Sequence, residues 1–279
     1  MPADPPRTQP RAPAGPALEL SRVVRFDLSP DRAASALNGL IGGSSGSGLW
    51  PIAEAEVVCR GFPDASGYLV DIGVVDGAVR TVVAPRLAAA AAAEITKGAP
   101  TDVLGILLDL REPLQAALPA PLHRLVYRPS PFRSFTLEWS MPNRALISET
   151  FEFAASHRLH LAGLSAEENA RLFGKCNNPN GHGHNYRIEV AVRVDPAADA
   201  SARFGFDALA RIVRDEVMAR FDHRHLNLDC PEFAQLNPSV EHIALVCHEV
   251  LSAPVRRAGG ELDHVRVWET DKTSCRYPA

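Results

Sequence analysis

Histidine residues that could bind a metal ion are concentrated in the second half of the sequence. Of the ten histidines, only His123 precedes position 157. His182 and His184 are separated by Gly183 alone. On a β-strand, side chains two residues apart project from the same face, so these two imidazoles could converge on one metal ion. The spacing therefore predicts a histidine-based metal site in the second half.

A third ligand has to come from another part of the chain, and His157 is the natural candidate. It follows a strand candidate, and strands that are consecutive in sequence usually pair. Three histidines with an open fourth position are typical of a catalytic zinc ion. His160, in a more irregular stretch just beyond, competes for the third place. The alternative interpretation of the His-Gly-His run is the polar outer face of a strand that binds no metal.

Three side chains in the same half could move protons. Cys176 precedes His182 in a polar loop, where it is either an inert small residue or a thiolate near the metal. Asp222 and His223 are adjacent, and a carboxylate that orients an imidazole can form a proton relay. The alternative for this pair is a helix C-terminus that carries His and Arg because of the helix dipole, and His225 fits the relay spacing equally well.

Glu269 lies in the last motif that could do chemistry, Val-Arg-Val-Trp-Glu-Thr at positions 265–270. A carboxylate at the end of a strand either faces solvent or faces a pocket. In a pocket it can accept two parallel hydrogen bonds from an amidine-like N–C–N edge, in the geometry that arginine shows with carboxylates.

The elements that must position these residues follow the same order in both halves of the chain. Alternating apolar residues predict strands and helical spacing predicts helices, in the order strand, strand, helix, helix, strand, strand. The strand candidates lie at 21–28, 53–60, 122–127, 133–139, 148–156, 184–194, 263–268 and 274–277. The helix candidates lie around 88–93 and at 102–117, 206–220 and 240–251. A loop is predicted over 164–180. This repeat suggests a duplication, the alternative being two α+β domains that share an order by chance. The predicted class is α+β, with antiparallel sheets and helices on one face.

Composition limits the function classes. A length of 279 residues suggests two domains, and a net charge of −4 gives no general attraction to nucleic acid or to an anionic membrane. Five cysteines without a CxxC pair favour a reducing compartment, so we expect a cytoplasmic protein. We find no apolar run of membrane-spanning length and no signal peptide. Residues 1–17 contain six prolines and predict a disordered tail.

Four motifs of the second half resemble the 6-pyruvoyl-tetrahydropterin synthase family over about residues 147–279. They are the stretch 151–186, which contains the run CNNPNGHGHNY, FDHRHLN at 221–227, NPSVEHIA at 237–244 and VRVWET at 265–270. The run CNNPNGHGHNY is highly specific. A close relative, 6-carboxytetrahydropterin synthase of the queuosine pathway, typically has a shorter gap between the cysteine and HGH, so the gap here favours the pyruvoyl type.

The resemblance implies a fold, a reaction and a set of site residues. The family's tunnelling fold is an antiparallel four-stranded sheet with two helices, assembled into barrels by several subunits, with the site at a subunit interface. The implied reaction is a zinc-dependent lyase reaction on 7,8-dihydroneopterin triphosphate with loss of triphosphate. The implied roles are zinc ligation by His157, His182 and His184, general base catalysis by Cys176, proton transfer by Asp222 and His223, anchoring of the pterin ring by Glu269, and lining of its pocket by Ser239 and Glu241.

The first half keeps the order of elements but lacks the HxH pair and the CNNPNG run. We interpret residues 18–140 as a degenerate tunnelling-fold copy, residues 147–279 as the catalytic domain, and Glu138 as a possible relic of the pterin anchor. A homo-oligomer of three tandem chains or more is expected. The rival functions are 6-carboxytetrahydropterin synthesis and, in another class, a pterin-binding or scaffold protein without catalysis.

Overall fold

The structure is a computed structural model that describes residues 16–29, 51–98 and 100–279. Most of the predicted tail at 1–17, and the Gly- and Ser-rich stretch at 42–48, lie outside the described residues. The first half contains strands β1 (Leu18–Asp27), β2 (Ile52–Gly61), β3 (Leu122–Ser130) and β4 (Arg133–Glu138), with helices α1 (Ile72–Ala78), α2 (Ala84–Lys97), α3 (Val103–Asp109) and α4 (Arg111–Ala116). A π-helical turn, Val79–Val83, joins α1 to α2.

The second half repeats this order with more irregular helices. Its strands are β5 (Ala145–His157), β6 (His182–Val194), the short β7 (Arg224–His225), β8 (Glu261–Thr270) and β9 (Thr273–Tyr277). Its helices are α5 (Ala166–Phe173), α6 (Phe206–Val213), α7 (Ala219–Phe221), α8 (Leu226–Asp229) and α9 (Val240–Arg257). The predicted order of strands and helices is confirmed, and helix α5 replaces part of the loop predicted over 164–180.

The four-stranded sheets that we expected in the two halves join into one continuous sheet. The strand order is β1-β2-β3-β4-β5-β6-β8-β9, with β7 added beside β5. All neighbours on the main path pair antiparallel, including β4 and β5 at the junction of the halves. A short connection after β4 lets β5 fold back beside it, because an antiparallel pair needs only a tight turn. The α+β class itself is confirmed.

Helices cover one face of this sheet and form the core with it. Buried strand side chains such as Val57, Ile147 and Ile188 share one apolar cluster with helix residues such as Leu107 and Leu251. Alternate strand residues face the other way and are mostly polar, as the period of two requires. None of the described helices is both long and apolar enough to cross a membrane.

The same β-bulge occurs at the same place in both halves. In the first half, Val58 pairs with Arg124 and Cys59 with Leu122, so that His123 is skipped. In the second half, Ala191 pairs with His264 and Val192 with Leu262, so that Asp263 is skipped. The β3–β4 and β8–β9 hairpins that follow the bulges have the same register. The pairs Tyr127↔Phe135 and Val267↔Cys275 lie equally far beyond the skipped residues. Strand β3 therefore corresponds to β8, and β4 to β9.

This correspondence corrects our interpretation of Glu138. Glu138 ends β4, whereas Glu269 lies near the end of β8, and the strand that corresponds to β8 is β3. The residue of β3 that matches Glu269, counted from the hairpin turn, is Pro129. Glu138 is therefore not a relic of that carboxylate. Both Glu residues follow strand-like stretches, but they lie on strands with different neighbours.

Candidate metal centre and active site

Strands β5 and β6 place the three predicted histidines on one face. His157 pairs directly with His182, and Ala155 pairs with His184, so the three imidazoles project from the helix-covered side of adjacent strands. Gly181, immediately before β6, has a φ of 72°, and a side chain there would press on the carbonyl of His157. This glycine lets β6 begin directly beside the end of β5.

The three imidazoles are close enough to share one metal ion. One ligand nitrogen from each of His157, His182 and His184 lies within 4.8 Å of the other two. The Nε2 atoms of His157 and His182 are 3.1 Å apart. A tetrahedral ion with nitrogen ligands at about 2.0–2.1 Å holds those nitrogens about 3.3–3.4 Å apart, so the spacing fits such an ion.

Hydrogen bonding fixes which nitrogen of His157 faces the centre. Its Nδ1 lies 2.6 Å from the carbonyl oxygen of Pro238, so Nδ1 carries the proton and Nε2 keeps a free lone pair. A backbone carbonyl that receives the second N–H is a common support for a metal-binding histidine. Burial, the largest cause, lowers the pKa of His157 to about 4, which keeps the imidazole neutral at neutral pH.

Unpaired nitrogen atoms in the same cluster also fit a metal ion. His184 Nε2 and His182 Nδ1 are buried and have no hydrogen-bond partner among the described residues. Burial also lowers the pKa of His184, against the opposing effect of the Glu269 carboxylate. A buried polar atom without a partner is costly, and a metal ion on His184 Nε2 would remove that cost.

The Glu269 carboxylate reaches the histidine cluster. Its Oε1 lies 3.4 Å from His157 Nε2 and 3.6 Å from His184 Nε2. Strand β8 lies next to β6 and delivers this side chain from the opposite flank to β5. A carboxylate here can bind a cation directly or accept hydrogen bonds from a ring held beside the centre. The motif alone left the orientation of Glu269 open, the family resemblance implied that it faces a pocket, and neither indicated this proximity to the imidazoles.

Tyr186 is a component of the site that sequence reasoning missed. Its side chain is fully buried, and its hydroxyl has no hydrogen-bond partner among the described residues. Burial, and to a lesser degree the charges of Glu269 and Cys176, raise its pKa. Its ring centroid lies 5.5 Å from that of His184. The sequence signal for Tyr186 was its position two residues after His184, on the same face of the strand.

Cys176 is held in place by the loop between β5 and β6. It belongs to the 3₁₀ turn Gly174–Asn177, and its carbonyl accepts a hydrogen bond from the Leu159 N–H at 2.9 Å. The Asn177 side chain donates to the Leu159 carbonyl at 2.7 Å. Asn227 exchanges hydrogen bonds with the backbone of Arg158. Asparagine side chains therefore form hydrogen bonds with backbone groups of this segment that a neighbouring strand would otherwise bind.

Asn169 is the most buried of these supports. It accepts from the Leu161 N–H at 2.8 Å and donates to the carbonyls of Leu161, Leu164 and Ser165. It lies on α5, which begins at a capping box formed by Ser165 and Glu168. This spacing of Ser and Glu, together with the apolar residues that follow it, was the sequence signal for the missed helix.

We expect Asn169→Ala to lower the free energy of unfolding by about 2–3 kcal/mol, because each buried group left unpaired costs about 1–3 kcal/mol. Urea unfolding followed by circular dichroism measures the change. Asn180→Ala, at an exposed position of the same loop, is the matched control and should change stability by less than about 0.5 kcal/mol. Equal stabilities of the two variants would contradict the role of Asn169.

Asp222 and His223 form the adjacent pair that the sequence predicted. The Asp222 Oδ1 atom lies 3.0 Å from His223 Nδ1 and accepts a hydrogen bond from the Ala154 N–H at 2.9 Å. That backbone bond is the largest cause of the lowered pKa of Asp222. His223 has a φ of 57° and a side chain that is 82% exposed. The positive φ turns this imidazole out of the helix and towards the open side of β5.

A cleft of about 460 Å³ is lined by His223 of this pair and by His184 of the histidine cluster. It is lined by Ala154, Ala155, Ser156, Gly183, His184, Asn185, His223, Arg224 and His225. His184 and His223 thus line one cleft, whereas no hydrogen bond among the described residues joins Asp222 or His223 to Cys176. His225, the competing relay residue, points towards Gly181.

The remaining predicted residues have clear local roles. Ser239 caps α9 by accepting from the His242 N–H, and Glu241 lies in the first turn of that helix. A hydrogen bond with Ser239 is the largest cause of the lowered pKa of Glu241. Neither residue lines the cleft described above. His160, the competing third ligand, instead faces the Asn177 side chain at 3.1 Å.

The fold and the site define an α+β protein with a three-histidine centre that could hold a metal ion. A family model described as 6-pyruvoyl tetrahydropterin synthase matches residues 146–279. The human 6-pyruvoyl tetrahydrobiopterin synthase is 40% identical over 138 residues, which cover 48% of this chain and 91% of the human protein. The Drosophila melanogaster protein of the same name is 32% identical over 133 residues, 48% of this chain and 79% of that protein.

A solved structure of Caenorhabditis elegans 6-pyruvoyl tetrahydropterin synthase is 33% identical, with a TM-score of 0.43, and covers 49% of this chain and 96% of that one. The sequence relatives establish the relationship by themselves, since the matched half spans nearly the full length of the human protein. This chain belongs to the 6-pyruvoyl tetrahydropterin synthase family, a family of lyases. The resemblance noted in the sequence is thereby confirmed.

Proposed function

We propose that residues 147–279 form a zinc-dependent lyase that converts 7,8-dihydroneopterin triphosphate to 6-pyruvoyl-tetrahydropterin with loss of triphosphate. The observation that carries the proposal is the convergence of His157, His182 and His184 within 4.8 Å. The names of the relatives, the human 6-pyruvoyl tetrahydrobiopterin synthase among them, support the choice of reaction.

The three histidines would hold the ion through neutral imidazoles and leave one position open. A bound zinc ion supplies Lewis-acid stabilisation of the negative charge that develops on the hydroxyl oxygens of the substrate side chain. Zinc suits three imidazole ligands with an open fourth site better than magnesium or calcium, which prefer oxygen ligands. The protein contributes a preset geometry, because the β5–β6 register and the Pro238 carbonyl fix the rings before an ion binds.

Cys176 and the Asp222–His223 pair would move the protons. Cys176 acts as the base that takes a carbon-bound proton from the side chain of the substrate, next to the buried Tyr186 hydroxyl. Asp222 orients His223 through the 3.0 Å contact, and His223 returns a proton from the cleft side. Separate groups for removal and return allow one proton to move on each face of the side chain.

Glu269 would anchor the pterin ring. Its carboxylate can accept hydrogen bonds from the amino group and ring N–H of the pterin, and it lies 3.4–3.6 Å from two of the imidazoles. An anchor this close to the centre holds the side chain of the substrate in one orientation relative to the ligands. Ser239 and Glu241 remain proposed pocket residues at the start of α9.

We also propose that residues 18–140 are a second tunnelling-fold unit that lost its metal site. The shared bulge and hairpin registers support a duplication. Pro51 and His184 lie the same number of residues before the bulges of β2 and β6, so Pro51 occupies the position of the first half that corresponds to His184. A proline side chain offers no ligand atom. The first half would then contribute strands to the sheet and surface to the assembly of chains, and it would take no part in the reaction.

Product analysis tests the proposed reaction. The zinc-loaded chain is incubated with 7,8-dihydroneopterin triphosphate, and the products are identified by mass. We expect 6-pyruvoyl-tetrahydropterin and inorganic triphosphate, no turnover after treatment with a chelator, and recovery on adding zinc. Release of acetaldehyde would instead assign 6-carboxytetrahydropterin synthesis. Tight binding of the pterin by a zinc-loaded protein without any product would assign the non-catalytic role.

A further inference from the structure

Tyr186 occupies a place in the sheet from which its side chain reaches the histidine centre. It lies on β6 two residues after the His-Gly-His run, so its side chain projects from the helix-covered face like those of the ligands. On one side it pairs with Phe153 of β5. On the other side Arg187 pairs with Trp268 of β8, and the same antiparallel register carried one residue further brings Glu269 beside Tyr186.

Packing fixes the ring of Tyr186 in one orientation. The ring is stacked on that of Phe153, with centroids 5.2 Å apart and an angle of 18° between the planes. It also contacts the rings of His184 and His157, at centroid distances of 5.5 Å and 6.1 Å. The whole side chain is buried. Because the hydroxyl oxygen lies in the plane of the ring, these contacts also fix the position of that oxygen.

The hydroxyl at the end of this ring is a buried polar group that has no partner. No hydrogen bond joins it to any group in the part of the chain that the structure describes. A buried tyrosine hydroxyl usually finds a partner, and leaving one unpaired is costly. Phenylalanine would fill the same space without that cost. The hydroxyl therefore fits a partner that enters the site as a ligand.

The hydroxyl offers the centre a hydrogen-bond donor beside groups that offer lone pairs. His157 donates its Nδ1 proton to the Pro238 carbonyl and presents a lone pair at Nε2. The Glu269 carboxylate presents acceptor oxygens. Burial and, to a lesser degree, the charges of Glu269 and Cys176 raise the pKa of the Tyr186 hydroxyl, so that it keeps its proton. A ligand can thus give its N–H groups to Glu269 and receive a hydrogen bond on an oxygen from Tyr186.

We propose that the Tyr186 hydroxyl donates a hydrogen bond to the side-chain oxygen of the substrate on which negative charge develops. This role rests on the proposed function, in which Cys176 removes a carbon-bound proton and charge develops on the oxygens of the substrate side chain. A donor that is already in place stabilises that charge more in the transition state than in the ground state. Since packing holds the ring, the hydroxyl does not have to reorient as the charge develops.

Tyr186→Phe removes the hydroxyl and keeps the ring. We expect kcat of the zinc-loaded variant to fall by about 10²–10³-fold, the usual effect of removing one donor to a developing oxyanion. The variant should keep one zinc ion per chain, and its Tm should not fall, because the unpaired hydroxyl makes no hydrogen bond in the folded chain. Tyr127→Phe is the matched control, since Tyr127 is buried on β3 in the first half, and this variant should keep its kcat.

Ligand binding gives a readout that does not depend on turnover. 7,8-Dihydroneopterin carries the hydroxylated side chain without triphosphate, whereas 7,8-dihydropterin has no side chain. Isothermal titration calorimetry measures the Kd of each compound on the zinc-loaded proteins. Tyr186→Phe should raise the Kd for dihydroneopterin about two- to tenfold, the effect of one neutral hydrogen bond, and leave the Kd for dihydropterin unchanged. Tyr127→Phe should change neither value.

Four results for Tyr186→Phe would each overturn the proposal. Loss of zinc would make the phenol part of the metal site, and a lower Tm would reveal a partner inside the folded chain. Equal changes in the two Kd values would place the hydroxyl against the pterin ring and not its side chain. A wild-type kcat together with wild-type Kd values would leave the hydroxyl without a role. The product assay on the wild-type chain reports separately on the proposed reaction, because the selective change in Kd is measured without turnover.

Discussion

His182→Ala is expected to abolish stoichiometric metal binding and, with it, turnover. The His182 Nε2 atom lies 3.1 Å from His157 Nε2, so its loss leaves two imidazoles and no three-histidine set. Two imidazoles alone bind zinc too weakly to retain one ion per chain. Inductively coupled plasma mass spectrometry of the purified variant, after dialysis against zinc, measures the ions per chain.

The matched control for this variant is His160→Ala. His160 lies close to the ligands in sequence, but its ring faces the Asn177 side chain, so this variant should keep one zinc ion per chain. Circular dichroism confirms that both variants are folded. One ion per chain in His182→Ala, or loss of the ion in His160→Ala, would show that the ligand set differs from the one proposed here.

Cys176→Ala is expected to reduce kcat by about 10²–10⁴-fold, the usual effect of removing a general base. The carbonyl of Cys176, which contacts the Leu159 N–H, is part of the backbone and is retained in the variant, so the loop and the metal content should be unchanged. Steady-state kinetics with the zinc-loaded variant measures kcat and KM, and the base role predicts that the loss falls mainly on kcat.

Cys59→Ala is the control for thiol removal as such. Cys59 is buried on β2 in the first half of the chain, away from the proposed site. This variant should keep its kcat, with a small loss of stability from the lost packing. Near-full activity of Cys176→Ala would remove this thiol from the mechanism and leave the proton transfer to Asp222, His223 or a water molecule.

Local patterns in the sequence were sufficient for the ligand pair and for most elements. The His-Gly-His spacing places His182 and His184 on one face of any strand, because successive side chains alternate. The rule that consecutive strands pair favoured His157 and left His160 as an alternative, and the β5–β6 register places His157 directly opposite His182. Helix α5 was not predicted, although Ser165 and Glu168 form a capping box, because the Gly, Asn and Pro residues at 174–181 are typical of a loop.

Other features depend on contacts between distant parts of the chain. Glu269 was recognised by its motif, but its distance to His157 follows from the order β5-β6-β8. Tyr186 has no polar signature as a strand residue, and its importance comes from burial beside charged groups. The interpretation of Glu138 was wrong because a short local similarity does not encode which strands are neighbours.

The sequence alone determined the identity of the three candidate ligands, the α+β class and the repeated order of elements, because each follows from local periodicity or from a specific motif. The tertiary structure decided that the two halves form one sheet through β4 and β5, that both contain the same bulge, and that Glu269 and Tyr186 reach the histidines. These facts depend on strand register and packing between segments far apart in the chain, which the periodicity of a single segment does not encode.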